Sequence, residues 1–117
     1  MKSSEALQKA RDLLSDPKRW TKSEFARDDS QSWTNPNHPE AVCWCSWGAV
    51  SKVRVDLKDE AKQLGILLEG FKEVPTLRFR SGVYPTIPSM NDHRDTTHEE
   101  IMEGFDNAIR IAKERGD

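Results

Sequence analysis

This 117-residue sequence contains few cysteines, no long apolar run and no marked excess of positive or negative charge. The only cysteines are Cys43 and Cys45, and a pair spaced i, i+2 does not indicate a disulfide framework. No segment approaches the roughly 20 apolar residues that a membrane helix needs. The first five residues lack the apolar run of a secretion signal. We therefore expect no membrane partner and a reducing, cytoplasmic location.

The charges are nearly balanced, with 18 basic and 20 acidic residues and a net charge of −2. The basic residues are scattered along the chain, whereas nucleic-acid-binding proteins concentrate them on one face. The densest basic stretch, residues 18–27, contains Glu24 and follows Asp16. A solvated face fits this mixture better than a phosphate-binding patch, so nucleic acid is not expected as a partner.

Several catalytic signatures are also missing. The sequence has no glycine-rich dinucleotide or phosphate loop, no His-Glu-x-x-His and no Gly-x-Ser-x-Gly. These absences exclude those particular routes to catalysis and leave other enzymes open. We predict no cofactor and no metal ion, and the sequence favours a non-enzymatic role.

The length predicts one domain, residues 1–117, and the composition predicts a thin core. Apolar residues make up 35% of the chain, below the average of roughly 45–50% for globular proteins. Hydrophobic periodicity nevertheless predicts four helices. They are expected at residues 4–15, from Asn37 or His38 to residue 50, at residues 57–71, and from the Thr97 cap onward.

The segment 41–50 is nearly all apolar or small, and we interpret it as a central buried helix. A buried strand is the competing interpretation, but its length and the capping residues Asn37 and Pro39 favour a helix. On a helix the sulfurs of Cys43 and Cys45 diverge by about 200°, so they could not share one metal ion. We expect both to be small buried hydrophobic residues.

Two regions lack helical periodicity. Residues 25–27 and 32–34 flank a polar turn and predict a small hairpin. Residues 73–95 contain three prolines and are predicted to be irregular, except that 77–80 alternate at strand period. The expected fold class is therefore mainly α, a compact four-helix domain around a buried central helix, with a small β-hairpin or short sheet.

The polar stretch 91–98 and the long segment before it supply the candidate binding residues. Asn, Asp and His side chains can bind a ligand or a metal ion, although the same residues commonly form turns and helix caps. The long segment is the first place to expect contacts with a partner. The tentative binding residues are Asn91, Asp92, His93, His98, Arg78, Arg80 and Tyr84.

Three further interpretations stay open. One thiol, His98 and Asp92 could form a nucleophile, a base and an orienting group, which would make the protein a small enzyme. The 91–98 loop could instead hold a metal ion. The four tryptophans divide into Trp44 and Trp47, expected in the core, and Trp20 and Trp33, which either cover the core or anchor a partner.

Four segments in this order resemble an uncharacterised family of small phage and bacterial proteins, a domain-of-unknown-function family. They are LLSDPKRWT at 13–21, FARD at 25–28, AVCWCSWGA at 41–49, and ND at 91–92 followed by THEEI at 97–101 and a helix containing Ala108. The resemblance covers most of the chain outside about residues 57–88.

The resemblance implies no established activity and carries over no catalytic residue. It implies by analogy a small phage or mobile-element accessory protein that binds a host or phage protein and inhibits a host defence system. The sequence leaves a homodimer open.

Overall fold

The computed structural model describes residues 1–80 and 82–117, and Ser81, within the stretch predicted to be irregular, lies outside the described residues. The described part is mainly helical with a two-stranded antiparallel sheet, which confirms the predicted class of a mainly α domain with a short sheet. Its described residues form six α-helices, two more than predicted. The elements in chain order are α1 (Ser3–Leu13), β1 (Ala26–Arg27), β2 (Cys43–Trp44), α2 (Ser46–Val53), α3 (Leu57–Lys72), α4 (Pro75–Arg80), α5 (Ile87–Asp92) and α6 (His98–Glu114).

The core lies mainly between α3 and α6, with α1 packed on α6. At the α3–α6 crossing the two backbones approach closely, because a Cβ atom on Gly70 would lie 2.5 Å from the carbonyl oxygen of Gly104. Phe71 and Phe105 pack edge to face beside this crossing, with ring centroids 6.0 Å apart. Glycine at the crossing therefore allows two phenyl rings to fill the centre of the domain.

The segment 41–50 is mostly buried, as predicted, although Val42 is exposed and Ala41 and Trp47 are half-buried, and it is not one helix. Cys43–Trp44 forms β2, and α2 begins only at Ser46. The helix begins there because Cys45 Sγ accepts a hydrogen bond from the Gly48 N–H at 3.3 Å and so caps α2. An all-apolar run has no periodicity that separates a strand from a helix, and the cap is a sulfur that the sequence pattern does not reveal.

Cys43 lies in β2 and Cys45 at the N-cap of α2, so helical geometry does not separate the two sulfurs as predicted. Both cysteines are nevertheless buried and free. Within residues 1–80 and 82–117, no three Cys, His, Asp or Glu side chains cluster closely enough to hold a metal ion.

The small sheet is present, but its main pairing differs from the predicted hairpin. Ala26 pairs with Trp44 and Arg27 with Cys43 in an antiparallel register. The predicted partner, residues 32–34, forms only an isolated bridge between Trp33 and Arg27. The chain turns away at Pro36, which has no N–H to extend the ladder.

Residues 73–95 contain two short helices, so the prediction of an irregular stretch with a strand at 77–80 is wrong. Pro75 is the first residue of α4 and Pro88 the second of α5, positions where the missing proline N–H breaks no helical hydrogen bond. A capping box between Thr86 and Ser89 then fixes the start of α5. The prolines mark helix starts here rather than helix breaks.

The other helices agree with the prediction to within a few residues. α3 continues without interruption through Gly65. α6 begins at the predicted capping box, in which Thr97 and Glu100 exchange hydrogen bonds. None of the helices in the described ranges has both the length and the apolar character needed to cross a membrane.

Candidate functional site

Asn91, on α5, is fully buried and uses every polar atom of its side chain in hydrogen bonds. Its Oδ1 accepts from Trp20 Nε1 at 2.8 Å, from the Ser46 N–H at 3.1 Å and from Ser46 Oγ at 2.6 Å. Its Nδ2 donates to the Thr21 carbonyl at 3.1 Å and to Asp92 Oδ1 at 2.8 Å. The Ser46 N–H belongs to the first turn of α2, so Asn91 caps that helix from a distant part of the chain.

Asp92 is oriented by two donors and keeps one oxygen available. Its Oδ1 accepts the Asn91 amide and also the Ser23 N–H at 2.8 Å. Ser23 has a φ of +73°, in the left-handed region that non-glycine residues seldom adopt. Among the described residues, no hydrogen bond reaches Asp92 Oδ2. One carboxylate oxygen therefore stays free at a partly exposed position.

A cavity of about 210 Å³ lies beside Asp92, and we call it the aromatic cavity. Phe25, Trp33 and Trp47 supply its aromatic lining. Trp33 is 63% exposed and Phe25 46% exposed, while the Phe25 and Trp47 ring centroids lie 6.1 Å apart. The cavity is lined by Ser23, Glu24, Phe25, Trp33, Cys45, Trp47, Ile87, Pro88, Asn91 and Asp92.

A close backbone approach places Phe25 at this cavity. The Phe25 carbonyl accepts the Cys45 N–H at 3.2 Å, and a Cβ atom on Gly48 would lie 1.9 Å from that same carbonyl oxygen. Only glycine at position 48 lets the first turn of α2 lie against the Phe25 backbone. The same turn carries Trp47, so one contact fixes two aromatic walls.

Trp47 also belongs to two neighbouring depressions. One of about 160 Å³ lies between Trp47, Phe25 and Arg54. The other, of about 250 Å³, is lined by Trp47, Ile87 and apolar residues of α3. The indole ring of Trp47 is therefore shared by three depressions, of which the one beside α3 is mainly apolar and the one beside Arg54 is more polar.

The aromatic cavity is acidic. Its lining contains the carboxylates of Glu24 and Asp92 and no lysine, arginine or histidine. Within the described part of the chain, the Glu24 carboxylate forms neither an ion pair nor a hydrogen bond. Burial raises the pKa of the Cys45 thiol to about 11, with the nearby Asp92 charge adding to the effect and the Gly48 N–H opposing it. The thiol is therefore protonated at neutral pH.

The two predicted histidines do not line the aromatic cavity. His98 Nε2 lies 2.6 Å from the Leu14 carbonyl oxygen, so this nitrogen carries a proton, and the ring packs 6.0 Å from that of Trp20. His93 Nδ1 accepts the Asp95 N–H at 3.1 Å within a turn. His93 therefore stabilises a local turn, as the turn-and-cap interpretation expects, whereas His98 connects the start of α6 to the end of α1 and to Trp20.

The predicted residues of the long segment lie elsewhere on the surface. Arg80 forms an ion pair with Glu100 on α6, at 2.5 Å. Arg78 is exposed on the same short helix. Tyr84 is 85% exposed, next to the equally exposed Val83. Of the seven predicted residues, the structure brings only Asn91 and Asp92 to the aromatic cavity.

Residues 24, 25 and 47 were not among the predicted binding residues. Glu24 and Phe25 were assigned to a basic stretch and a hairpin, and Trp47 to the core. Their proximity depends on the Gly48–Phe25 approach, which joins positions 23 residues apart in sequence and leaves no periodic pattern. Trp33 is exposed and does not cover the core, and its role as a partner anchor stays a prediction.

DUF6197, a family of unknown function, matches residues 1–111, and the chain belongs to this family. Neither a curated protein nor a solved structure matches the chain.

Proposed function

We propose that this member of DUF6197 is a non-enzymatic binding protein that seats a side chain of another protein in the aromatic cavity. The observation that carries this proposal is the open aromatic lining, in which Trp33 is 63% exposed beside Phe25 and Trp47. A large indole left in water is typical of protein–protein contacts, where tryptophan is enriched among the residues that dominate the binding energy.

The size of the cavity favours a single side chain as its occupant. Small-molecule sites usually enclose about 300–1,000 Å³, whereas this cavity encloses about 210 Å³ and opens to solvent beside Trp33. The two depressions next to Trp47 offer room for neighbouring residues of the same partner. An anchor side chain in the cavity and flanking contacts around it match the usual anatomy of an interface.

The identity of the partner follows the resemblance alone. We propose a host or phage protein, with inhibition of a host defence system as the specific role. The alternative, a small enzyme with a Cys/His/Asp site, requires a thiolate near a free imidazole. Cys45 is protonated at neutral pH, and the proton on His98 Nε2 is directed to the Leu14 carbonyl. These contacts favour binding over thiol catalysis.

The test is capture of a partner followed by binding measurements with purified components. The tagged protein is immobilised, partners are recovered from host lysate, and each recovered protein is purified and titrated by calorimetry. We expect Trp33→Ala to weaken binding at least about 30-fold, the loss of a dominant interface residue. The matched control, Tyr84→Ala, removes an aromatic ring on the long segment that is even more exposed, 85% against 63% for Trp33, and should leave the affinity unchanged.

The opposite result would place the interface on the long segment. If Tyr84→Ala abolishes binding and Trp33→Ala does not, the aromatic cavity is not the binding site. Failure to recover any protein whose binding depends on Trp33 would likewise contradict the proposal.

A further inference from the structure

We infer that the aromatic cavity selects a positively charged side chain, a lysine or an arginine of the partner protein. This inference rests on the proposed function, because it names the chemistry of the side chain that the cavity receives. It adds a prediction of its own, namely that charge as well as shape decides which side chain enters.

The charges of the cavity are unbalanced. Glu24 and Asp92 both line it, and none of its ten lining residues is basic. Asp92 Oδ1 is held by the Ser23 N–H and the Asn91 amide, which fixes the carboxylate while Oδ2 accepts no hydrogen bond from the described residues. An oriented carboxylate with a free oxygen is an acceptor for an ammonium or guanidinium donor.

The aromatic walls favour the same kind of ligand. The face of an aromatic ring carries negative partial charge and attracts a cation lying within about 6 Å of its centroid. Phe25 and Trp47 stand at 56° to each other, so their faces are not stacked together. A cation in the cavity would replace its contacts with water by contacts with the faces of these aromatic rings and with the carboxylate oxygens of the lining.

The protein already binds one of its own lysines in this way. Lys22 Nζ lies 5.4 Å from the Trp20 ring centroid and donates to the His93 carbonyl at 2.7 Å. Lys22 does not line the aromatic cavity. The neighbouring cavity offers three rings where Lys22 uses one, and carboxylates where Lys22 uses carbonyls.

The experiment compares four small probes of matched backbone by NMR titration of the intact protein. The probes are the Nα-acetyl N-methylamides of lysine, trimethyllysine, arginine and norleucine, and norleucine supplies a neutral aliphatic chain for comparison. We expect the indole N–H signals of Trp33 and Trp47 to shift with the cationic probes. We expect the best cationic probe to bind about tenfold more tightly than norleucine, within the range that cation–π contacts provide.

Charge-removing variants separate the carboxylates from the rings. Asp92→Asn retains an oxygen to accept the Ser23 N–H, so the fold is preserved while the charge is lost. Together with Glu24→Gln it should reduce the cation preference to about twofold or less. The matched control is the double variant Glu99→Gln with Glu103→Gln, which removes two charges from exposed positions on α6 and should keep the preference intact.

The NMR titration tests the charge selection, and the binding of the captured partner tests the proposed function. If norleucine binds as tightly as the cationic probes at the same indoles, the charge selection is wrong and the cavity is simply apolar. If no probe shifts either indole at tens of millimolar, the inference is also wrong. In both cases the proposed function is judged separately, by whether Trp33→Ala still weakens binding of the captured partner.

Discussion

Replacing Asn91 by alanine should cost more stability than any other single truncation of an amide side chain in the described part of the chain. The change removes the acceptor of the Trp20 indole N–H and of the Ser46 N–H, at 2.8 and 3.1 Å. Ser46 Oγ can rotate toward another acceptor, so we count only these two N–H groups. A buried donor left without an acceptor costs about 1–3 kcal/mol. Water entering beside the partly exposed Trp20 offsets part of this, which leaves roughly 3 kcal/mol.

The assay is urea unfolding at pH 7, followed by tryptophan fluorescence and by circular dichroism. Asn37→Ala is the control, because Asn37 is exposed and its side chain forms no hydrogen bond among those of the described residues; its effect should stay within about 0.5 kcal/mol. Native Asn91→Ala protein should also show altered Trp20 fluorescence, since the indole loses its acceptor. A stability loss below about 1 kcal/mol would refute the view that Asn91 joins α5 to α2.

Three further predictions concern positions next to the site and on α6. Gly48→Ala should destabilise the protein by about 2 kcal/mol or more in the same urea assay, because its new Cβ atom would lie 1.9 Å from the Phe25 carbonyl oxygen. Gly65→Ala is the control, because its Cβ atom would have no neighbour within 4 Å, and it should stabilise α3 by about 0.5–1 kcal/mol. Burial raises the pKa of the Glu100 carboxyl, but hydrogen bonds from threonine and arginine side chains and a backbone N–H outweigh it and lower the pKa to about 2. The ionised Glu100 therefore stabilises the fold above the pKa of about 4.3 that it has in the unfolded chain, and this stabilisation is lost as the pH falls toward 2. Glu100→Gln should lower the free energy of unfolding by about 1 kcal/mol at pH 7. The difference in stability between the variant and the wild type should disappear between about pH 4 and pH 2. Cys45, with a pKa raised to about 11, should react with iodoacetamide at pH 7.5 at least tenfold more slowly in native than in urea-unfolded protein, and rapid native labelling would revive the enzyme alternative.

The helices that were predicted correctly are those whose ends have local causes. Pro17 prevents α1, which ends at Leu13, from extending further along the chain. The Thr97 capping box starts α6, and the Asp56 side chain caps α3 by accepting the Asp59 N–H at 2.8 Å. Each of these signals lies within about four residues of the boundary that it sets. A single sequence therefore contains enough information to place them.

The segment 41–50 was predicted wrongly because its structure is decided at a distance. Its first half pairs with β1, and the helix in its second half is capped partly by Asn91 on α5. Neither partner is visible in the apolar pattern itself. The short helices α4 and α5 differ from the prediction for a local reason, since their prolines lie at helix starts, where proline is compatible with a helix.

The hydrogen bonds of the polar residues at 91–98 show why residue types alone predict the position of a binding site poorly. Asn91, His93 and His98 all attract attention as ligands, yet in the structure their hydrogen-bonding atoms are directed to a helix cap, a turn and a backbone carbonyl. The Asn91 amide and the Ser23 N–H both donate to Asp92 Oδ1, and these two hydrogen bonds hold the other carboxylate oxygen, Oδ2, at the cavity. A polar cluster that is satisfied internally thus orients the single acceptor left over at the cavity. This acceptor and the Glu24 carboxylate, rather than the cluster, give the cavity the negative charge from which we infer a cationic ligand.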